Sequence, residues 1–369
     1  MSAFSRFTPL ITRLPATVPF VGPEAIERKQ GLAVKARIGA NESGFGPSPK
    51  ALAALTQASS GIWAYADPEN HDLKQALAHH YGLRPDNFAI GEGIDDLLGL
   101  TVRLVIEQDM PVVTALGSYP TFHFHVTGFG GRLVTMPYVN DREDLDALLS
   151  AVKKENAPLV YLANPDNPMG SWHDGDDIVA FARSLPQSCL LILDEAYGET
   201  APTSAIPPLE TLIDLPNVVR MRTFSKAYGL AGARVGYAIG TAGTVSAFDK
   251  IRNHFGMVRT SVAAALAALD DQDYLAETVT RIAAARERIA AIALKNGLTP
   301  LPSATNFVAI DTHGDGGRAR AIVDGLMQHG VFIRMPGVAP LNRCIRVSAG
   351  LPDDLDLFAE ALPKVLAGL

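Results

Sequence analysis

Short runs of β-branched and aliphatic residues alternate with longer amphipathic stretches through the first two thirds of the chain. The runs at residues 112–115, 133–136, 159–163, 189–193, 218–221 and 235–239 lack polar alternation, as strands buried on both faces do. Helical patterns lie between several of them. Leu73, Leu77 and Tyr81 recur every four residues after Pro68 and make one apolar stripe. Residues 94–106 predict a second helix, with Asp95 and Asp96 at its start, where carboxylates complement the helix dipole. Strands alternating with helices imply βαβ units, hence a mostly parallel sheet covered on both faces.

The pattern changes after about residue 260. An Ala-rich helical stretch runs from Val262 toward Leu294, with a break near residues 270–273. Strands follow at 306–310, 331–334 and 344–348, with helices at 319–329 and 353–365. These predict a smaller α+β domain. The first forty residues are rich in Pro without clear periodicity and are expected to pack on it as an arm. The expected division is therefore an arm at 1–40, a large domain at 41–260 and a small domain at 261–369.

Composition narrows the function classes. With 47% hydrophobic and 19% charged residues among 369, the chain has material for a large core. A net charge of −7 argues against a nucleic-acid groove or an anionic membrane surface as partner, so basic residues in a site must act locally. Cys189 and Cys344 each sit in an apolar run and read as buried thiols rather than a disulfide or a nucleophile. No apolar stretch is long enough to span a membrane, and the N-terminus lacks the pattern of a secretory signal, so a cytoplasmic setting is expected. No cluster has metal-ligand spacing.

Ligands of open α/β sheets sit outside the carboxyl ends of the strands. Polar residues gather at those ends here. The run at 159–163 leads into Asn164-Pro-Asp-Asn167-Pro, that at 189–193 into Asp194-Glu-Ala-Tyr197, and that at 218–221 into Arg222-Thr223-Phe-Ser225-Lys226. A lysine at a strand end forms an imine with a carbonyl cofactor once its amine loses its proton. Pyridoxal 5′-phosphate (PLP) also needs a carboxylate at its ring nitrogen, which Asp194 would supply, and donors at its phenolic oxygen, for which Asn167 and Tyr197 are candidates. Its phosphate needs a helix start with hydroxyls and a guanidinium. Gly91-Glu-Gly93-Ile94-Asp95 opens one helix, Thr223 and Ser225 flank Lys226, and Arg234 follows. Singly these signals are weak: Asn-Pro-x-Asn-Pro is often only a turn, Asp-Glu-Ala-Tyr often a solvated strand end, and Ser-Lys pairs also occur in hydrolases. A hydrolase would leave Asn167 and Asp194 without a role.

Thr223-Phe-Ser-Lys226-Ala-Tyr-Gly-Leu-Ala-Gly-Ala-Arg234-Val-Gly236 resembles the lysine signature of class I/II aminotransferases of PLP fold type I. Asn164-Pro-Asp-Asn167-Pro-Met-Gly170 resembles the family's Asn-Pro-x-Asn-Pro-Thr-Gly loop, with Met169 for Thr, and Asp194-Glu-Ala-Tyr197 its Asp-x-x-Tyr element. Asn41-Glu-Ser-Gly-Phe-Gly-Pro-Ser-Pro49 and Tyr65-Ala-Asp-Pro68 resemble the histidinol-phosphate aminotransferase branch, and Cys344-Ile-Arg346-Val-Ser-x-Gly350 its C-terminal arginine element. The resemblance covers about residues 35 to 368.

It implies an α/β fold type I PLP-transferase with a large, mostly parallel-sheet domain and a smaller α+β domain. It implies Lys226 as Schiff-base lysine and proton shuttle, Asp194 at the pyridine nitrogen, and Asn167 and Tyr197 at the ring oxygen. Gly93, Ile94, Asp95, Thr223, Ser225 and Arg234 would bind the phosphate, and Phe122 would stack on the ring. Tyr65 would serve the neighbouring subunit's cofactor, hence a homodimer. Arg346, with Arg334 and Asn41, would bind substrate: an amino donor and a 2-oxo acid. Arg334 reads equally well as a structural ion pair. His123 and His125 read as polar-face histidines, and His71, His79 and His80 as surface. Two departures touch the substrate pocket. Thr17 or Val18 stands where the branch carries an N-terminal Tyr, and His254-Phe-Gly-Met-Val-Arg259 replaces an Asn-rich stretch. They lead to the expectation that carboxylate-bearing amino acids, aromatic ones included, rival histidinol phosphate. A decarboxylase of the same fold and an inactive regulatory relative are the other readings.

Overall fold

The computed structural model describes residues 6–16 and 20–369. Thr17 and Val18, the expected place of the missing tyrosine, lie outside the described residues. Seven strands form one sheet in the spatial order Phe88–Gly91, Gly236–Ile239, Val218–Thr223, Leu190–Asp194, Leu159–Ala163, Pro111–Ala115 and Arg132–Met136. The last five pair in parallel, and the strand Gly236–Ile239 runs antiparallel to both its neighbours. Most strand residues are fully enclosed, which explains their unbroken apolar patterns. The edge strand Phe88–Gly91 is absent from the sequence reading. Four residues ending in Gly91, with Gly93 two positions on, carry too little periodicity to announce a strand. Helices Pro49–Ala58, Leu145–Glu155 and Gly175–Ser184 were also not anticipated.

The register places the site. Leu159–Ala163, Leu190–Asp194 and Val218–Thr223 stand side by side, with Ala163 opposite Asp194 and Asp194 opposite Met221. Their carboxyl ends therefore reach one rim together. The turn after Asp194 is fixed from below by Glu195. Its buried carboxylate accepts from Arg220 at 2.7 Å and from Arg222 at 3.1 Å, both on the adjoining strand. Burial opposes that charge, but the two guanidiniums outweigh it and hold Glu195 below the usual carboxylate range. Removing one partner would leave an uncompensated buried charge.

The second unit is a three-stranded antiparallel sheet with Phe307–Asp311 between Thr299–Pro300 and Cys344–Ser348. Helices Gln272–Lys295, Gly316–Gln328 and Pro352–Leu366 cover it. Residues 331–334, expected as one strand, form Val331–Phe332, which pairs in parallel with Ala36–Arg37, and a separate antiparallel bridge from Arg334 to Arg346. The helical stretch breaks at Asp271, between helices Arg259–Asp270 and Gln272–Lys295. The first of these packs against Pro49–Ala58 and joins the core of the large sheet through Ala264, Ala265, Ala268 and Leu269. Helix Arg259–Asp270 thus shares a core with the large sheet.

Candidate active site

Lys226 follows the strand Val218–Thr223, and its side chain enters a cavity of about 240 Å³ at the rim of the large sheet. Its Nζ donates to the Asn41 carbonyl at 3.3 Å and lies 5.6 Å from the centre of the Tyr197 ring. Burial pushes the amine down to about 8; Asp95 and Asp194 pull it back up, while Arg346 and Arg234 push it further down. Lysine in water keeps its proton to about pH 10.4, so this one is readily freed as a nucleophile.

Asp194 ends its strand at the floor of the cavity. One oxygen accepts from the Tyr161 hydroxyl at 2.8 Å and the other from the Ala196 N–H at 2.9 Å. Burial raises its pKa to about 6, against the pull of both hydrogen bonds. A cation seated above it would restore full ionisation.

On the opposite wall, helix Ile94–Val105 begins without a side-chain cap after Gly93. Gly93 has φ 89°, and a Cβ there would lie 2.2 Å from Arg234 Nη2. That guanidinium donates to the Glu92 carbonyl at 3.2 Å and to Ser225 Oγ at 3.4 Å, beside Asp95 at 4.0 Å. The Thr223 hydroxyl donates to Ser225 Oγ at 2.9 Å. Free helix amides, two hydroxyls and a guanidinium on one wall are the donor set of a phosphate site.

Several expected residues sit elsewhere. Phe122 does not reach the cavity. Helix Pro120–Gly128 turns it into the core, where it is fully buried and stacks on Tyr161 with centroids 4.5 Å apart. Tyr119, just before that helix, lines the cavity together with Tyr161 and Tyr197, and its hydroxyl donates to Asp95 at 2.8 Å. A residue that precedes a helix keeps the direction of the strand end, whereas one three further on has rotated with the first turn. Asn41 lines neither this cavity nor its neighbour. It is buried behind Tyr197, donating to the Tyr197 hydroxyl at 3.0 Å and accepting from Ser348 at 3.1 Å. Tyr65 is 74% exposed, against Phe255 and away from its own chain's cavity. Tyr161, buried and apolar in pattern, was missed altogether. Its only sequence signal is a polar tip inside an otherwise aliphatic run.

A second cavity, about 330 Å³, shares Asn167 with the first and holds Arg346 and Arg334. Arg346 donates to Asn167 Oδ1 at 2.5 Å, lies over Phe307 at 5.1 Å and keeps a buried Nε with no partner. Burial lowers its pKa to about 10. Arg334 donates to the Val21 carbonyl at 2.9 Å and lies over Phe20 at 4.9 Å. The structural ion pair considered for it is not formed, and neither arginine pairs with a carboxylate among the described residues.

This fold and site define a class. The profile of the family described as Aminotransferase class I and II matches residues 34–362, and the chain belongs to that family. Within it the chain is similar to histidinol-phosphate aminotransferases. One from Roseiflexus castenholzii is 36% identical over 366 residues, 97% of each chain. The crystal structure of one from Sinorhizobium meliloti, in complex with pyridoxal-5′-phosphate, is 66% identical with a TM-score of 0.97, over 100% of this chain and 99% of that one. An aspartate aminotransferase from Thermus thermophilus, bound to maleate, shares the fold at 20% identity and TM-score 0.80, over 99% of this chain and 100% of the other. The chain is an α/β, fold type I aminotransferase of the histidinol-phosphate aminotransferase type.

Proposed function

We propose that this PLP-dependent aminotransferase moves the amino group of histidinol phosphate to a 2-oxo acid, as a cytoplasmic homodimer with shared sites. The residues present fit the cofactor. Gly93 leaves room for a phosphate that a side chain would exclude, and Arg234, Ser225 and Thr223 face it. When bound, PLP supplies an aldehyde carbon and a ring that takes up the electrons of a broken Cα–H bond. Lys226 would hold the aldehyde covalently through Nζ and would carry the Cα proton. Asp194 would hold the proton at the ring nitrogen. Asn167 and Tyr197 would donate to the ring oxygen, with Asn41 orienting Tyr197 through its hydroxyl. Tyr119 would supply the aromatic beside the ring. The arm residues Phe20 and Val21 line the adjoining cavity that holds Arg334 and Arg346.

The observation that carries the substrate reading is the pair Arg334 and Arg346, two guanidiniums in one cavity without carboxylate partners. A doubly charged phosphate satisfies both, and in the other half-reaction a carboxylate takes the same place. The name shared by the relatives supports this choice. The arginines also lie against Phe20, Phe307 and Phe332, surroundings that suit an aromatic amino acid. The test is kcat/KM for histidinol phosphate against a panel of amino acids with a common acceptor. Histidinol phosphate should lead by orders of magnitude. Equal or faster turnover of aromatic amino acids would reverse the assignment, and acceptor-independent loss of carbon dioxide would make the enzyme a decarboxylase.

Exposed Ile62, Trp63, Tyr65, Phe255 and Val258 support the dimer, because two adjoining segments carry this apolar surface. Arg259 donates to the Tyr65 carbonyl at 2.6 Å and to that of Ala64 at 3.3 Å, fixing the segment that presents Tyr65. Tyr65 then enters the partner's site.

A further inference from the structure

Tyr161 is fully buried among Ile94, Leu98, Phe122 and Val126, yet it carries a hydroxyl. A phenol in such surroundings is costly unless its O–H is bonded. Its hydroxyl donates to Asp194 Oδ2 at 2.8 Å. Tyr161 precedes Ala163 by two residues on the neighbouring strand, and Ala163 stands opposite Asp194, so the phenol crosses diagonally beneath the carboxylate. Phe122 lies nearly parallel on the phenol, at 17°. The carboxylate's last torsion is broad and two-fold when nothing holds it. Here the Ala196 N–H fixes one oxygen and Tyr161 the other.

We propose that Tyr161 is a positioning residue: it holds Asp194 at the angle that meets the cofactor's ring nitrogen, and Phe122 keeps Tyr161 in place. This rests on the assignment of Asp194 to that nitrogen. The hydroxyl has a second effect. An acceptor that already receives one hydrogen bond attracts a further proton less strongly. Without Tyr161, the proton shared between ring nitrogen and carboxylate shifts toward Asp194, and the ring draws electrons less well. Asp95 at the helix start, Lys226 after the neighbouring strand, Tyr197 and the buried Glu143 also face Asp194. Among the described residues its side-chain oxygens accept from Tyr161 and the Ala196 N–H, not from these groups.

The test uses Tyr161→Phe, which keeps the ring and removes the donor. In the cofactor-free protein labelled at the aspartate carboxyl carbons, the Asp194 titration should move up by about one pH unit or more. PLP affinity, read by fluorescence titration, should weaken about tenfold. In an Asp194→Asn background the same substitution should cost no further affinity. An equal loss in both backgrounds, or an unmoved Asp194 titration, would show that Tyr161 only fills space and would overturn the proposal. Should Tyr161→Phe fail to fold, Phe122→Leu serves: it releases the phenol and should raise the Asp194 titration part of the way, and an unmoved titration there also overturns it. If Asp194→Asn itself leaves PLP affinity unchanged, the assignment of Asp194 fails, whatever Tyr161 does to the titration.

Discussion

A side chain held away from its preferred protonation state costs the fold something. Lys226, at about 8 instead of the ordinary 10.5, binds fewer protons folded than unfolded between those values. Stability therefore rises with pH across that window, and below it the full penalty applies. Lys226→Met should stabilise the cofactor-free protein below pH 8 by up to about 3 kcal/mol, the gain shrinking toward pH 10. Urea melts at several pH values measure this, and a gain that stays constant with pH would refute the depressed amine. The same variant cannot hold the cofactor covalently, and borohydride reduction of the parent should mark a peptide containing Lys226. Asp194→Ala should retain some PLP and lose about a hundredfold or more in kcat, checked by single-turnover kinetics. Lys226 and Asp194 were legible because each ends an apolar run at the rim where βαβ sheets bind ligands. The place of Tyr119, Phe122 and Asn41 was not. It depends on how a helix turns in its first residues and on which of two neighbouring cavities a loop faces, and no one-dimensional pattern carries either.

At the scale of elements, the phosphate wall depends on a close approach. The helix start at Gly93 meets the strand Gly236–Ile239 so closely that a Cβ on Gly236 would lie 2.8 Å from the Gly93 carbonyl carbon. Gly93→Ala adds both a clash with Arg234 and a strained positive φ. It should weaken PLP binding at least tenfold while the far-UV spectrum stays native, measured by cofactor titration of the apoprotein. Central strands and the long helices were readable since burial on both faces, or on one stripe, imposes a strong period. The edge strand Phe88–Gly91 and the two-residue pair Ala36–Arg37 with Val331–Phe332 were not. Their existence is decided by partners far along the chain rather than by their own composition.

At the scale of the molecule, the exposed surface around Trp63, itself 88% exposed, should close only in an assembly. Trp63→Glu is expected to shift sedimentation toward monomer and to lower activity steeply on dilution. Mixing Tyr65→Ala with Lys226→Ala should restore part of the activity, since one hybrid site regains both residues. Fully active monomers would defeat the shared-site reading. Another consequence follows from Ala36–Arg37, which completes its pairing only with Val331–Phe332, while Asn41 is tied to Asn306 and Ser348. Asn41 must therefore wait for partners 265 and 307 residues further along the chain. During synthesis the large sheet can assemble while this segment stays unattached, and the Asn41 amide that meets the Tyr197 hydroxyl is anchored only once Asn306 and Ser348 have been made. A chain halted before residue 331 should therefore fold its large sheet yet bind PLP poorly, as cofactor titration of the halted chain would read.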